Sequence, residues 1–186
     1  MESGGKLLAR ILIERREQWE ARTLAKYEQD GRTPPKNWRE RYPVPVGPKT
    51  EGLAELPEGW CWASVGQCAD VQGGLQKSPA RAPRKNHYPY LRVANVLRGR
   101  LDLTDLSRFE LTDEELNKLR LAIGDLLIVE GNGSLSEIGR SALWDGEVDD
   151  CVHQNHIIRC RFTNKIGPVN YFVSAAQVRS LACELR

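Results

Sequence analysis

The sequence predicts an α+β fold: a curved, mostly antiparallel sheet with short helices, preceded by a long N-terminal helix and a proline-rich linker. Three observations carry this. The run from Lys6 to Gln29 contains neither proline nor glycine. Six of the ten prolines then fall between Pro34 and Pro57. From Leu56 onward, short apolar stretches alternate with turn residues, the pattern of strands and short helices packed on one core. The expected organisation is a spacer helix over 1–30, a linker over 31–55 and a mixed domain over 56–186.

In the first segment Ser3 is placed to cap a helix and Gly31 to end it. Leu8, Leu12 and Trp19 fall near one stripe, with Leu7 and Ile11 beside it. The opposite face is densely charged, yet Glu14–Gln18, Glu20–Leu24 and Arg22–Lys26 place little ion pairing at i,i+4. A stripe this thin needs a partner. Leu8, Leu12 and Trp19 are therefore candidate docking residues, toward another protein or toward the chain's own domain. Proline at the density of the following segment favours an extended, semi-rigid spacer.

Within 56–186, Trp60 to Val65 reads as a first strand or a short helix start. Tyr90 to Val96 alternates apolar and polar residues, as a half-buried strand does. Thr112 and Glu115 have capping-box spacing and open a short helix to Leu121. Gly124-Asp125 turns into Leu126-Leu127-Ile128-Val129, a buried strand. Residues 141–144 and 156–162 read as further strands, and Asn170 to Leu185 as a closing helix.

A chain of 186 residues with 40% hydrophobic and 28% charged residues fits a soluble globular protein. No apolar run approaches the roughly 20 residues of a membrane span. Five cysteines without a CxxC pair argue against structural zinc and for a reducing cytoplasm.

Net charge is only +2, but it is unevenly placed. Between Asp70 and Asp102 lie seven basic residues and no acidic one; the next fourteen residues carry six acidic residues against Arg108. Asn86, His87, Tyr88, Tyr90 and Asn95 are threaded through the basic stretch. Cations interleaved with planar and amide side chains suit a polyanion that also has base edges to read. A solvated loop is the competing reading. Lys77, Arg81, Arg84 and Lys85 are candidates for phosphate contact. Arg140 is either another or a structural ion-pair partner. Asn86, His87, Tyr88, Asn132, Ser134 and Gln154 are candidates for base readout, through amide, hydroxyl and ring groups.

Other motifs are weaker. Gly131-Asn132-Gly133-Ser134 follows a strand but lacks the Gly-Lys-Ser/Thr ending of a P-loop, so it reads as a turn with a polar tip. His153 and His156 would point to opposite faces of a strand, which spoils a shared metal shell. Asp125 and Glu130 resemble half of a nuclease carboxylate pair, but position 132 is Asn where a lysine is usual. No catalytic constellation emerges, so no catalytic residue, metal ligand or cofactor is assigned.

An ordered set of segments resembles the specificity (S) subunit of type I restriction–modification systems. Leu7 to Arg16 is similar to the end of that family's inter-domain helix, and Pro34-Pro35-Lys36-Asn37-Trp38 to the linker after it. Leu56-Pro57-Glu58-Gly59-Trp60 resembles the start of a target recognition domain. Tyr88 to Val96 resembles its first strand. Gly124 to Val129, Asn132-Gly133-Ser134 and Ile138-Gly139-Arg140 resemble its central hairpin region. The resemblance implies a non-catalytic subunit that reads half of a bipartite sequence in double-stranded DNA. It also implies docking of adenine methyltransferase subunits and, through the complex, of a restriction and translocation subunit. The family has two recognition domains and two spacer helices where this chain has one of each, and further strands are expected after Arg186. Pairing with a second specificity half would restore the two-fold arrangement. Two rival readings stand beside this one: a metal-dependent nuclease or DNA-modification enzyme built on Asp125 and Glu130, and a protein-interaction module centred on the N-terminal helix.

Overall fold

Residues 2–131 and 133–162 are described by the computed structural model. Asn132 and the closing helix expected over 170–185 lie outside them. The chain divides into two compact units, 1–69 and 70–186.

The first unit is built on helix α1 (Gly4–Gln29). Ser3 occupies the N-cap without a side-chain cap bond, and Gly31 takes the left-handed conformation past the end, at φ +62°. The charged face forms two i,i+4 ion pairs, Arg10–Glu14 and Arg16–Glu20; the pairs considered from the sequence were the wrong ones. The linker also differs from a free spacer. A 3₁₀ turn at Trp38–Arg41 buries Trp38, which stacks on Trp19 at 5.8 Å between ring centroids. Tyr42 meets the same indole edge-on at 5.4 Å, and Arg39 reaches back to Glu20 at 3.1 Å. At the other end the Gly4 amide donates to the Gly59 carbonyl. The chain thus returns along its own helix, and the helix stripe gains its partner from within. A short helix α2 (Val65–Cys68) follows, closed by a Ser64–Gln67 capping box. This settles the reading of Trp60 to Val65 in favour of a helix start.

The second unit holds two sheets. Strands β1 (Ala69–Gly73), β7 (Ile157–Phe162), β4 (Leu126–Val129) and β5 (Ser141–Leu143) form a four-stranded sheet in the order β1-β7-β4-β5. Strands β3 (Ser107–Glu110), β2 (His87–Leu91) and β6 (Val152–His153) form a three-stranded sheet in the order β3-β2-β6. β4 pairs antiparallel with β5 and β7, and β2 antiparallel with β3, whereas β2 and β6 run parallel. The mostly antiparallel α+β character is as expected; the division into two sheets is not. β4 is buried at every position, as its Leu-Leu-Ile-Val run requires. Leu91, Leu127, Val129, Ala142, Trp144 and Ile157 form one core cluster. Tyr90, Phe109, Leu111, Leu116, Leu119 and Val152 form a second, beneath helix α3 (Asp113–Leu119). In it the Tyr90 and Phe109 rings stack at 3.6 Å. The capping box of Thr112 and Glu115 opens α3 as the sequence indicates.

One strand expectation fails. The alternation over 90–96 is broken after Leu91, and residues 93–95 form a 3₁₀ turn. The cause is Asn95, only 3% exposed. Its side-chain oxygen accepts from the Arg92 amide at 2.8 Å, while its Nδ2 donates to the carbonyls of Asp102 and Asp105. A buried amide with this many partners fixes a turn where periodicity alone would continue a strand.

Candidate nucleic-acid interface

The acidic run that begins at Asp102 takes up part of the basic run before it. Of the seven cations, Arg81 pairs with Glu115 at 2.8 Å, Arg92 with Asp105 at 2.7 Å, and Arg98 approaches Glu137 at 3.5 Å. Lys77, Arg84, Lys85 and Arg100 are exposed, and among the described residues their side chains form no ion pair. The surface charge of this stretch is therefore smaller than the sequence count and concentrated on four side chains.

Two of these, Arg84 and Lys85, sit on a loop whose backbone is held from below. Glu110, the last residue of β3, lies opposite His87, the first of β2. Its carboxylate accepts from the amides of Arg84 (2.8 Å), Lys85 (3.4 Å) and Asn86 (2.9 Å). These donors, led by the Asn86 amide, hold its pKa below the usual glutamate value. The Arg81 guanidinium does the same for Glu115. An open hollow of about 590 Å³ behind the loop is lined by Ser78, Arg81, Asn86 and Thr112 among others.

The structure brings together part of the expected set. Lys77, Arg84, Lys85, Asn86 and His87 lie exposed on or beside one loop. His87 stands against Arg108, ring Nδ1 to guanidinium 3.2 Å. Tyr88 is half-buried against the second core cluster. Ser134 is exposed in the turn after β4, with its hydroxyl 2.8 Å from that of Ser136. Gln154 is half-buried beside Leu75, bridged to it in parallel register. Gly74 makes that approach possible, since a Cβ there would lie 2.1 Å from the His153 carbonyl oxygen. Arg140 resolves toward its structural alternative: its side chain is 11% exposed, paired with Glu137 at 2.6 Å and donating to the Val93 carbonyl at 2.7 Å. In the first unit Leu8 and Leu12 are half-buried and Trp19 is engaged by Trp38.

The rival carboxylate site is occupied by the fold. Asp125 is 1% exposed, accepts from the Ala122 amide, and is gripped by Arg161 through two bonds of 2.7 Å each. This is the geometry of a buried structural pair. Burial pushes His153 down to about 4, so its imidazole is neutral near neutral pH. Burial pushes the Cys151 and Cys160 thiols up to about 12, which removes them as nucleophiles. Sequence reasoning missed Glu110, and it noted Arg100 and Asn95 within the basic stretch without assigning them a role. Glu110 left no local signal, because its donors lie some 25 residues away.

The fold and loop define an α+β module that displays a clamped basic loop at the entry to β2, the central strand of the three-stranded sheet. The chain is similar to a specificity subunit of a type I restriction enzyme. Over 114 residues, 60% of this chain, it is 31% identical to the type I restriction enzyme EcoKI specificity subunit of Escherichia coli K12. The match covers 24% of that protein, so the relative is about two and a half times as long as this chain. Among solved structures, the HsdS subunit from Thermoanaerobacter tengcongensis matches 96% of this chain and 39% of its own length at 17% identity and TM-score 0.49. A chain from a structure of type I system assembly and conformational transition matches the same shares at 16% identity and TM-score 0.47. No family model matches the chain.

Proposed function

We propose that this chain is a non-catalytic DNA-recognition module of a type I restriction–modification complex. In this reading residues 70–162 read one half of a bipartite target and the helical unit docks methyltransferase subunits. The observation that carries it is the 31% identity to a type I specificity subunit over 60% of the chain. The basic loop at Arg84 and Lys85 supplies the independent physical support, because unpaired, exposed cations beside amide and imidazole groups match a duplex with phosphates outside and base edges within. Lys77, Arg84 and Lys85 are the phosphate contacts in this reading. Asn86, His87, Asn132 and Ser134 are the readers of bases. The test is selection from a randomised duplex pool by the chain mixed with its methyltransferase partner, sequenced after binding at moderate salt. Enrichment of one half-site, or of two spaced half-sites, is the expected result. Binding without enrichment would remove the recognition role and leave a merely basic surface.

A further inference from the structure

The three residues before β2 have no strand opposite them in the ladder, yet their amides are not left open. The amides of Arg84 and Asn86 reach the Glu110 carboxylate at 2.8 and 2.9 Å, and that of Lys85 at 3.4 Å. The Leu111 amide then donates to the Asn86 carbonyl at 3.0 Å and ties the far side. Successive backbone N–H groups converging on one anion form a nest. Here the anion is the chain's own carboxylate. Two consequences follow for the exposed cations above it. Their backbone is fixed before any ligand arrives, so less ordering accompanies contact. The carboxylate charge is also directed at amides and not at the Arg84 and Lys85 side chains, which form no ion pair among the described residues.

We infer that Glu110 is a positioning residue for duplex DNA, whose carboxylate fixes residues 84–86 so that Arg84 and Lys85 meet backbone phosphates together. This rests on the DNA-binding reading above. By sequence alone a glutamate at this place would count as repulsive to phosphate; by geometry it is what holds the phosphate contacts in place.

The test measures affinity of the full chain for a mixed-sequence duplex across a salt series. Five proteins are compared: wild type, Glu110→Ala, Glu110→Gln, Arg84→Ala with Lys85→Ala, and the three alanine changes combined. Losing both cations lowers the log–log salt slope by about 1.8, at about 0.9 per phosphate contact. Glu110→Ala is expected to lower it part of the way, and to have no further effect once both cations are gone. Glu110→Gln, which keeps one acceptor oxygen, is expected to fall between Glu110→Ala and wild type, and it carries the test if the alanine variant is unfolded by circular dichroism. An unchanged slope in Glu110→Ala and Glu110→Gln would overturn the inference while leaving DNA binding intact. An equal loss with and without the two cations would also overturn it, because Glu110 would then be acting on the fold as a whole. A wild-type chain without salt-dependent affinity would bring down the DNA reading itself, and this inference with it.

Discussion

Two sets of cations in the second unit have opposite fates. Arg140, Arg159 and Arg161 lie on or beside the four-stranded sheet and are spent on the fold: Arg140 on Glu137 and Val93, Arg159 on Asp70 at 3.0 Å, Arg161 on Asp125. Arg84 and Lys85 precede the three-stranded sheet and are spent on nothing within it, because their neighbouring carboxylate is occupied by backbone amides. The two sets are alike in residue type, and each lies close in space to a carboxylate. What separates them is whether the carboxylate faces a side chain or a main chain. Charge counted along a sequence is therefore a poor measure of charge offered to a polyanion, and the first set should govern stability while the second governs binding.

The comparison breaks first at Arg161. Its replacement by Met strips the partner from a carboxylate that is 1% exposed, and removing one member of a buried pair costs about 3–5 kcal/mol. The remaining bond from the Ala122 amide places this case at the lower end, about 3 kcal/mol, read by urea unfolding. The folded fraction should keep its duplex affinity; a matched loss of affinity would blur the two sets. Arg140→Met should cost about 2 kcal/mol through its charged hydrogen bonds, again with unchanged DNA binding. Arg84→Ala and Lys85→Ala invert the pattern. Each should leave stability within about 0.5 kcal/mol, as exposed substitutions do, and lower the salt slope by about 0.9. Thr112→Ala removes the cap of α3 and should cost about 1 kcal/mol without altering the salt slope.

The smallest effect is a pH response. Glu110 and Glu115 both titrate below their unfolded value of 4.5. A carboxylate with a depressed pKa contributes fully above the unfolded value, and its contribution is lost as pH falls through the folded one. Amide protection at residues 84–86, followed by NMR, should hold near neutrality and decline only below pH 4.5. Decline beginning well above that pH would show that a group other than Glu110 holds the loop.

Much of the fold is written locally. The Thr112–Glu115 cap, the all-apolar β4 and the uninterrupted α1 each declare themselves within a few residues, because helical periodicity, capping and burial are short-range patterns. What the sequence conceals is long-range. Trp38 returning to Trp19 turns a supposed spacer into the covering of its own helix, and no proline count announces it. Asn95 ends a strand through carbonyls as far on as Asp105. Arg81 finds Glu115 across 34 positions, and so leaves the exposed set to which its residue type assigned it. The candidate phosphate contacts were half legible for the same reason: residue type nominates them, but the pairing that selects among them is tertiary.

The most direct test of the account is lysine footprinting by acetylation, with and without a mixed-sequence duplex. Lys77 and Lys85 should lose reactivity when duplex is bound, while Lys26 and Lys118, also exposed, keep theirs. Protection of Lys26 or Lys118 with Lys77 and Lys85 unchanged would place the nucleic acid elsewhere and contradict the assignment of the basic loop as the interface.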